Sequence, residues 1–554
     1  MSPHSQIETS VSSQDHSRRY LLLLLLLALA VRAYFWAGHA AVIENEGAGY
    51  ARQADNLLHG RPFVGIVPGV DVVETWLYPL AIAAVTLITR SSETGTRLVS
   101  LLAGTCLILP MYFLALRLYG RKTAWIAAIL TAIHPLLVAL SVAGYTEGPG
   151  LTLMMCAIYW SLRLLEPSAG RAWLYAGIFL GLAYLNRTEM LALVPLTIAA
   201  IFAATILNKN DLKKASLEAA KVLAVFAILA APYIGFLWRN TGQFRFEGKN
   251  LVNYTIGQRE LAGMSQAEAS RGIDENLIVT GPLLDQNHFA TYSPYRRRSS
   301  DVVRYFLKMA QLKKYWVYRD VLTSFALGSL MLWIVAAIGL FAAPWDRQRF
   351  FGETYLLIVM AYLVVILLAS HARFDRYTFA LVPIGLLWFS RGLVAMWEWG
   401  EKTFAAIQPH HIFNPAAVGA TLAALAAASM LFASFSGTRD VNELETGWAR
   451  YVPLKKAGLW LRQASPAPKN IFSSSVVAYY AGADQWLYPY ADSTLALRYI
   501  HAKHPDYLVI EPGTGLSTTY LADWIRDGIP DQQAKLVYDD RSPIGETLIY
   551  KWQP

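Results

Sequence analysis

Arg18-Arg19-Tyr20-Leu21-Leu22-Leu23-Leu24-Leu25-Leu26-Leu27-Ala28-Leu29-Ala30-Val31-Arg32-Ala33-Tyr34-Phe35-Trp36-Ala37-Gly38 is the stretch on which the fold turns. A helix over Tyr20–Gly38 is long enough to cross the hydrocarbon core of a bilayer, which takes roughly 20 apolar residues. Positive charge is retained on the cytoplasmic side, so Arg18 and Arg19 stay inside and the chain emerges outside. Gly38-His39-Ala40 resembles a signal-peptide cleavage site. The run is long, however, contains Arg32 and is followed by further apolar runs, so an uncleaved anchor is expected. Residues 1–19 then form a polar cytoplasmic tail, expected to be mobile over Met1–Ser17.

Composition points the same way. Of 554 residues, 55% are hydrophobic and 16% charged, and the mean hydropathy is +0.33. Soluble domains carry about 25% charged residues. An ordinary soluble enzyme, a disordered chain and a coiled coil are therefore excluded. The 17 Trp and 30 Tyr suit extensive membrane–water interfaces. A net charge of +9 belongs to cytoplasmic loops and anionic headgroups before nucleic acid. Cys106 and Cys156 both lie in apolar runs and offer neither a disulfide framework nor a metal cluster.

Further apolar runs are Thr96–Tyr119, Ala124–Val142, Gly148–Leu164, Ala172–Leu185, Met190–Leu207, Ala219–Leu237, Val321–Phe341, Tyr355–Ala369, Tyr377–Trp397 and Ala416–Phe435. The chain is thus expected to be mainly α, a polytopic bundle of about 11 transmembrane helices over 20–435. Arg117, Arg121, Lys122, Arg163, Arg171, Lys213, Lys214, Arg347, Arg349, Arg391 and Lys402 all fall on one side of this arrangement, as positive-inside charge requires. Outer loops at 39–95 and 239–320 and the tail 436–554 fall on the other side. In that tail, strands are expected at Asn470–Val477, Tyr507–Glu511, Leu536–Tyr538 and Thr547–Trp552. Helices over Val452–Gln463, Thr494–His501 and Thr519–Asp527 complete a small extracytoplasmic α/β domain.

The first outer loop continues Glu44-Asn45-Glu46-Gly47-Ala48-Gly49-Tyr50-Ala51-Arg52-Gln53-Ala54-Asp55-Asn56-Leu57-Leu58-His59-Gly60. Ala51, Ala54, Leu57 and Leu58 recur at helical spacing, so the acidic pair begins an amphipathic juxtamembrane helix. A carboxylate there serves as a general base if its surroundings hold its pKa near the working pH. Equally, Glu44 and Glu46 need do no more than solvate and cap a surface helix.

An acidic residue four before a Tyr, followed by an Ala-rich helix ending Asn56-Leu57-Leu58-His59-Gly60-Arg61, resembles the first outer loop of the GT-C glycosyltransferases. The nearest group is the bacterial branch related to protein O-mannosyltransferases and lipid A aminoarabinose transferases. The resemblance continues through Pro79 in a second juxtamembrane helix, Arg97–Gly104, His134-Pro135-Leu136 to Thr146-Glu147, Gly181–Glu189, Arg239-Asn240, and Arg376-Tyr377 before Pro383. It spans Tyr20 to Trp397. It implies that Glu46 holds the catalytic acidic position, commonly Asp in the family. Gly47 stands where the family often has a second acidic residue, and Gly49 where the aminoarabinose branch has Arg. Both departures count against an aminoarabinose substrate.

Tyr50, Glu147, Arg187, Arg239, Arg376 and Tyr377 are the candidate substrate-binding residues. Arg187 suits a donor phosphate because its planar fork binds phosphate oxygens bidentately, although a structural pair with Glu189 is as natural. Glu147 precedes a span, where a helix dipole also favours a carboxylate. Arg376, Tyr377 and Arg239 are placed to hold a departing phosphate, or to anchor the outer interface. His371 reads as a hydrogen-bonded edge residue. Arg296-Arg297-Arg298, with Arg304, Lys308, Lys313 and Lys314, reads as headgroup attraction.

The expected activity is inverting transfer of a sugar from a polyprenyl-phosphate donor to a lipid, glycan or protein hydroxyl. It takes place on the outer face of the cytoplasmic (inner) membrane, with Glu46 as base. No cofactor and no metal site is expected, and no nucleic acid partner. The alternatives are a secondary transporter, whose inverted repeats are not evident, and a non-catalytic envelope-glycan assembly factor.

Overall fold

The computed structural model describes residues 3–39, 42–166, 170–208, 211–291, 299–324, 326–369, 375–407, 414–440, 451–464, 470–511, 518–542 and 545–553. Each apolar run named above is helical over most of its length. Among the described residues, 7 helices are long and apolar enough to cross a membrane. Leu77–Thr89, Ala172–Asn186 and Ser329–Phe341 are apolar but shorter. The run expected at Ala124–Val142 splits into Arg121–Ile133 and Pro135–Leu140. Pro135 lacks the N–H that would carry the helix through.

The first helix extends over Pro3–His39, so the tail expected to be mobile is largely helical. No Gly or Pro interrupts the chain between His4 and Ala37, and the apolar span propagates its helix backwards. Within this helix Arg32 is fully buried. Its guanidinium donates to the Ala132 carbonyl at 3.0 Å, the Thr131 carbonyl at 3.4 Å and Ser141 Oγ at 3.1 Å. A buried charge is tolerable only when its donors are matched in this way. A second internal pair, Arg349 with Glu353 at 3.2 Å, is joined by Trp388 Nε1 at 2.7 Å.

The segment 42–95 lies between the bundle and the C-terminal residues. Its helices are Asn45–Leu58 and Leu77–Thr89. The C-terminal part carries a five-stranded sheet of order β2-β1-β3-β5-β4. Its strands are β1 Asn470–Phe472, β2 Asp484–Trp486, β3 Tyr507–Ile510, β4 Ala534–Ser542 and β5 Gly545–Trp552. The first three strands pair in parallel; β5 runs antiparallel to β3 and β4. The strand expected at Asn470–Val477 ends at Phe472, because Ser474 extends and a helix follows at Ser475–Ala481. That helix carries the chain over to β2, a strand too short to register as alternation in the sequence.

The sheet domain grips the segment 42–95. Arg52 donates to the carbonyls of Ala478, at 2.8 Å, Tyr479 and Ala483. Ser92 Oγ donates to Asp55 at 2.8 Å and meets the Tyr479 hydroxyl at 2.6 Å. Lys455 pairs with Glu93 at 3.2 Å, and the Gln485 amide donates to the Ile66 carbonyl at 2.9 Å.

Candidate functional site

Glu44 is extended, and the helix starts at Asn45. Glu44 is buried at the cap position but makes no side-chain cap bond. Glu46, in the first helical turn, is exposed toward a cleft. A Cβ on Gly47 would lie 2.8 Å from Ile43 Cγ1 and 3.1 Å from the Gly144 carbonyl. A side chain at 47 would push the helix away from the bundle, so a second acidic residue has no room here. Ala48, Ala51 and Ala54 are the buried face. Leu58, expected on that stripe, is exposed, because the helix ends there.

One turn on, Tyr50 is buried edge-to-face against Tyr78, with ring centroids 5.1 Å apart. Its hydroxyl donates to Glu74 Oε2 at 3.0 Å. Burial first, and then Glu74, push this phenol well above its ordinary range, which keeps it a donor at neutral pH. Glu74 is presented by Asp71, which accepts the Val73 amide at 2.9 Å, the Glu74 amide at 3.1 Å and Gln53 Nε2 at 2.6 Å. Burial, and next the charge of Glu74, raise the Asp71 carboxyl above its ordinary value.

The bundle supplies the opposite wall. Glu147 begins the helix Glu147–Arg163, and Arg187 follows the helix Ala172–Asn186 in an extended conformation. Arg187 donates to Glu147 Oε1 at 3.1 Å and to Glu189 Oε1 at 2.5 Å. This approach depends on Gly150, where a Cβ would lie 2.9 Å from Arg187 Cδ. Asn186 ties the two walls together: its Nδ2 donates to the Thr146 carbonyl at 3.1 Å, and its carbonyl accepts from Thr75 Oγ1 at 2.9 Å. Lys249, from the segment that follows the helix Leu212–Thr241, reaches Glu74 at 3.4 Å.

These groups line an open cleft. Glu46, Tyr50, Glu147 and Arg187 all line it, so four of the expected site residues converge although the first and last lie 187 − 46 = 141 positions apart. Glu74, Glu189, Lys249 and Asn186 join them. Against two cations stand four carboxylates, a formal balance of 2 − 4 = −2. Such a cleft offers an exposed carboxylate to receive a proton and, facing it, cations to hold an anion. Arg239 is elsewhere, exposed at the end of the helix Leu212–Thr241. Arg376 and Tyr377 sit in the short helix Asp375–Leu381, but their side chains, like His371 and Arg296-Arg297-Arg298, lie outside the described residues. Glu74 and Lys249 went unread in the sequence. Glu74 had one signal, a carboxylate inside the apolar Val72-Val73-Glu74-Thr75-Trp76; Lys249 had none. Among the described residues no cluster of three His, Cys, Asp or Glu is arranged to hold a metal ion.

The dolichyl-phosphate-mannose-protein mannosyltransferase family matches residues 74–235, a segment that holds Glu74, Glu147, Arg187 and Glu189 and begins after Glu46. No curated protein matches the chain. Among solved structures, the Archaeoglobus fulgidus oligosaccharyltransferase AglB, complexed with an inhibitory peptide and a dolichol-phosphate, is similar. It has a TM-score of 0.61 and 15% identity, over 97% of this chain and 74% of that one. ArnT from Cupriavidus metallidurans, bound to undecaprenyl phosphate, gives 0.55 and 14% over 96% and 97%. The mycobacterial arabinofuranosyltransferase AftD gives 0.51 and 11% over 96% and 41%. At these identities the likeness is one of fold, and it bears out the GT-C architecture expected from the sequence.

Proposed function

We propose that this GT-C-fold membrane protein is a glycosyltransferase that moves a sugar from a polyprenyl-phosphate donor to an acceptor hydroxyl on the outer face of the membrane. The observation that carries this reading is the convergence of Glu46 and Tyr50 with Glu147 and Arg187 around one cleft beside the ends of the spans. ArnT and AglB were solved with polyprenyl phosphates, which supports a lipid-linked donor for the same fold.

In this mechanism Glu46 accepts the proton of the acceptor hydroxyl. The freed oxygen attacks the anomeric carbon as the bond from that carbon to the phosphate oxygen breaks. The polyprenyl phosphate departs and the anomeric centre inverts. Arg187 and Lys249 face the phosphate, where charge grows in the transition state and preset positive donors lower the barrier. Tyr50 and Glu74 fix the wall opposite Glu147. Arg239, Arg376 and Tyr377 guide the lipid phosphate at the outer membrane edge. The loops 39–95 and 239–320 and the tail 436–554 face the outside of the inner membrane, and the acceptor is a lipid, a glycan or a protein.

The test is transfer of labelled sugar from a purified polyprenyl-phosphate donor by the protein in nanodiscs, with product stereochemistry read by NMR. Inverted product that disappears with Glu46→Gln is expected. Undiminished transfer by a well-folded Glu46→Gln protein would refute the assignment.

A further inference from the structure

The helix Asn45–Leu58 meets different neighbours around its circumference. Glu46 and Tyr50 turn to the cleft, and Ala48, Ala51 and Ala54 are buried. Arg52 follows Glu46 by six residues. At about 100° per residue it points about 120° round the helix from Glu46, and at 1.5 Å per residue it lies about 9 Å along the axis. It does not line the cleft.

That other face holds the sheet domain. The helix Ser475–Ala481 ends at Gly482 in the left-handed conformation, and the Ala483 amide returns to the Ala478 carbonyl at 3.0 Å. The carbonyls of a last turn form the negative end of their helix, and each keeps a second lone pair when one backbone amide has bonded it. Arg52 Nη2 takes up this capacity, at 2.8 Å from the Ala478 carbonyl and 3.3 Å from those of Tyr479 and Ala483. Arg52 is therefore a charged cap on a helix 426 positions away. Asp55, nearly one turn on, joins the same contact: it accepts from Ser92 Oγ, which meets the Tyr479 hydroxyl.

A 14-residue helix is marginal on its own, and no side-chain bond caps the first turn here. Its direction is therefore set by what flanks it. The buried alanines supply packing but no hydrogen bond to fix rotation about the axis. Tyr50, Gln53 and Asn56 bond to Glu74, Asp71 and the Val64 carbonyl, which belong to the same segment and can move with the helix. Arg52 instead ties it to a domain built from the other end of the chain.

We propose that Arg52 is a positioning residue of the transfer reaction, through which the sheet domain braces this helix and aims Glu46. The proposal rests on the reading of Glu46 as the base. A pivot of about 6° at Arg52 carries a group about 9 Å away through about 1 Å, and a misplacement of that size can cost about 10²-fold in rate. The sheet domain then acts on turnover and leaves substrate affinity alone.

The experiment uses the full-length protein in nanodiscs. Steady-state transfer and hydrogen exchange are measured for the parent, Arg52→Gln, Arg52→Lys and, as a control on the exposed surface of the sheet domain, Arg526→Gln. Arg52→Gln should lower kcat about tenfold or more while KM for donor and acceptor stays within about twofold. Arg52→Lys, which keeps the cation for the carbonyls, should recover part of the loss. Exchange should quicken over 45–58 and stay unchanged over the strands β1, β3 and β5, and Arg526→Gln should match the parent in every reading. Should Arg52→Gln fail to fold, Tyr479→Phe, which removes one hydroxyl from the same contact, is read the same way with a smaller loss. Unchanged kcat in a folded Arg52→Gln protein overturns the brace. A rise in acceptor KM at constant kcat also overturns it and gives the domain to acceptor binding, and equal quickening of exchange throughout the sheet domain reduces Arg52 to a stability contact. If the parent transfers no sugar, the proposed function fails, and the exchange over 45–58 alone decides whether Arg52 braces the helix.

Discussion

Replacing Arg187 by Met should be among the most damaging single changes in the cleft. Methionine keeps the unbranched stem that lies over Gly150 and removes only the charge. Glu147, with a side chain 6% exposed, and Glu189, 31% exposed, then lose the cation they share at 3.1 and 2.5 Å. The formal charge of the cleft falls from −2 to −3. Removing one partner of a buried pair typically costs 3–5 kcal/mol, so a loss of about 3 kcal/mol is expected here, where one carboxylate is partly wet. Glu147→Gln on the Arg187→Met background removes the worse of the stranded charges and should restore about 1–2 kcal/mol, a coupling within the range for residues in contact. Arg187→Lys keeps the charge but not the fork and should fall between parent and Met. The assay is denaturant unfolding in mixed micelles, followed by tryptophan fluorescence, over the four members of the cycle. Strictly additive losses, or an Arg187→Met protein as stable as the parent, would refute the shared-cation reasoning.

For the proposed base, Glu46→Gln should lower turnover at saturating donor by about 10²–10⁴-fold, whereas Glu46→Asp should retain part of the activity. Glu44→Gln, whose parent side chain does not line the cleft, should stay within about 1 kcal/mol of parent turnover; a larger loss would assign the chemistry to the wrong carboxylate. Gly47→Ala should destabilise by about 1–3 kcal/mol through overpacking against Ile43 and the Gly144 carbonyl, and a neutral effect in thermal unfolding would contradict that contact. The raised Asp71 carboxyl makes its protonated form the one the fold prefers, so its stabilising contribution is full below its ordinary value of 3.8 and is lost as pH rises through the raised value. Asp71→Asn should therefore flatten the pH dependence of unfolding over that interval, and unchanged slopes would argue against it. Cysteines placed at Arg18 and Arg462 should react with an impermeant reagent only after lysis and in intact spheroplasts respectively; the same pattern at both would show the two termini on one side of the membrane.

Much of this was readable because it was local. Apolar runs had to be helices, and the motif around Glu46 and Tyr50 carried its own helical phase. The convergence of Glu147 and Arg187 followed from a resemblance that preserves their order, although neither residue's neighbours announce a partner across the fold. What failed to show was long-range or sub-threshold. Lys249 reaches Glu74 across 175 positions, which no spacing rule anticipates. Strand β2 has only three residues, fewer than alternation needs. Val476 and Val477 read as strand by β-branched propensity, yet they face the core from a helix, because tertiary packing overrides so weak a preference.

Arg32 bears on how the chain is assembled. When the first helix leaves the ribosome, the Ala132 carbonyl that will receive its guanidinium lies 100 residues behind. At about 5–20 residues per second, that acceptor arrives roughly 5–20 s later. An arginine held alone inside a span costs about 2.5–3.5 kcal/mol on insertion scales. The first helix must therefore wait where Arg32 can still reach water, beside the insertion machinery or displaced toward a membrane surface, until the hairpin carrying Thr131 to Ser141 comes alongside. The order of synthesis thus becomes an order of docking, and the opening helix settles at its final depth only after the helices that lead to Ser141 have followed it.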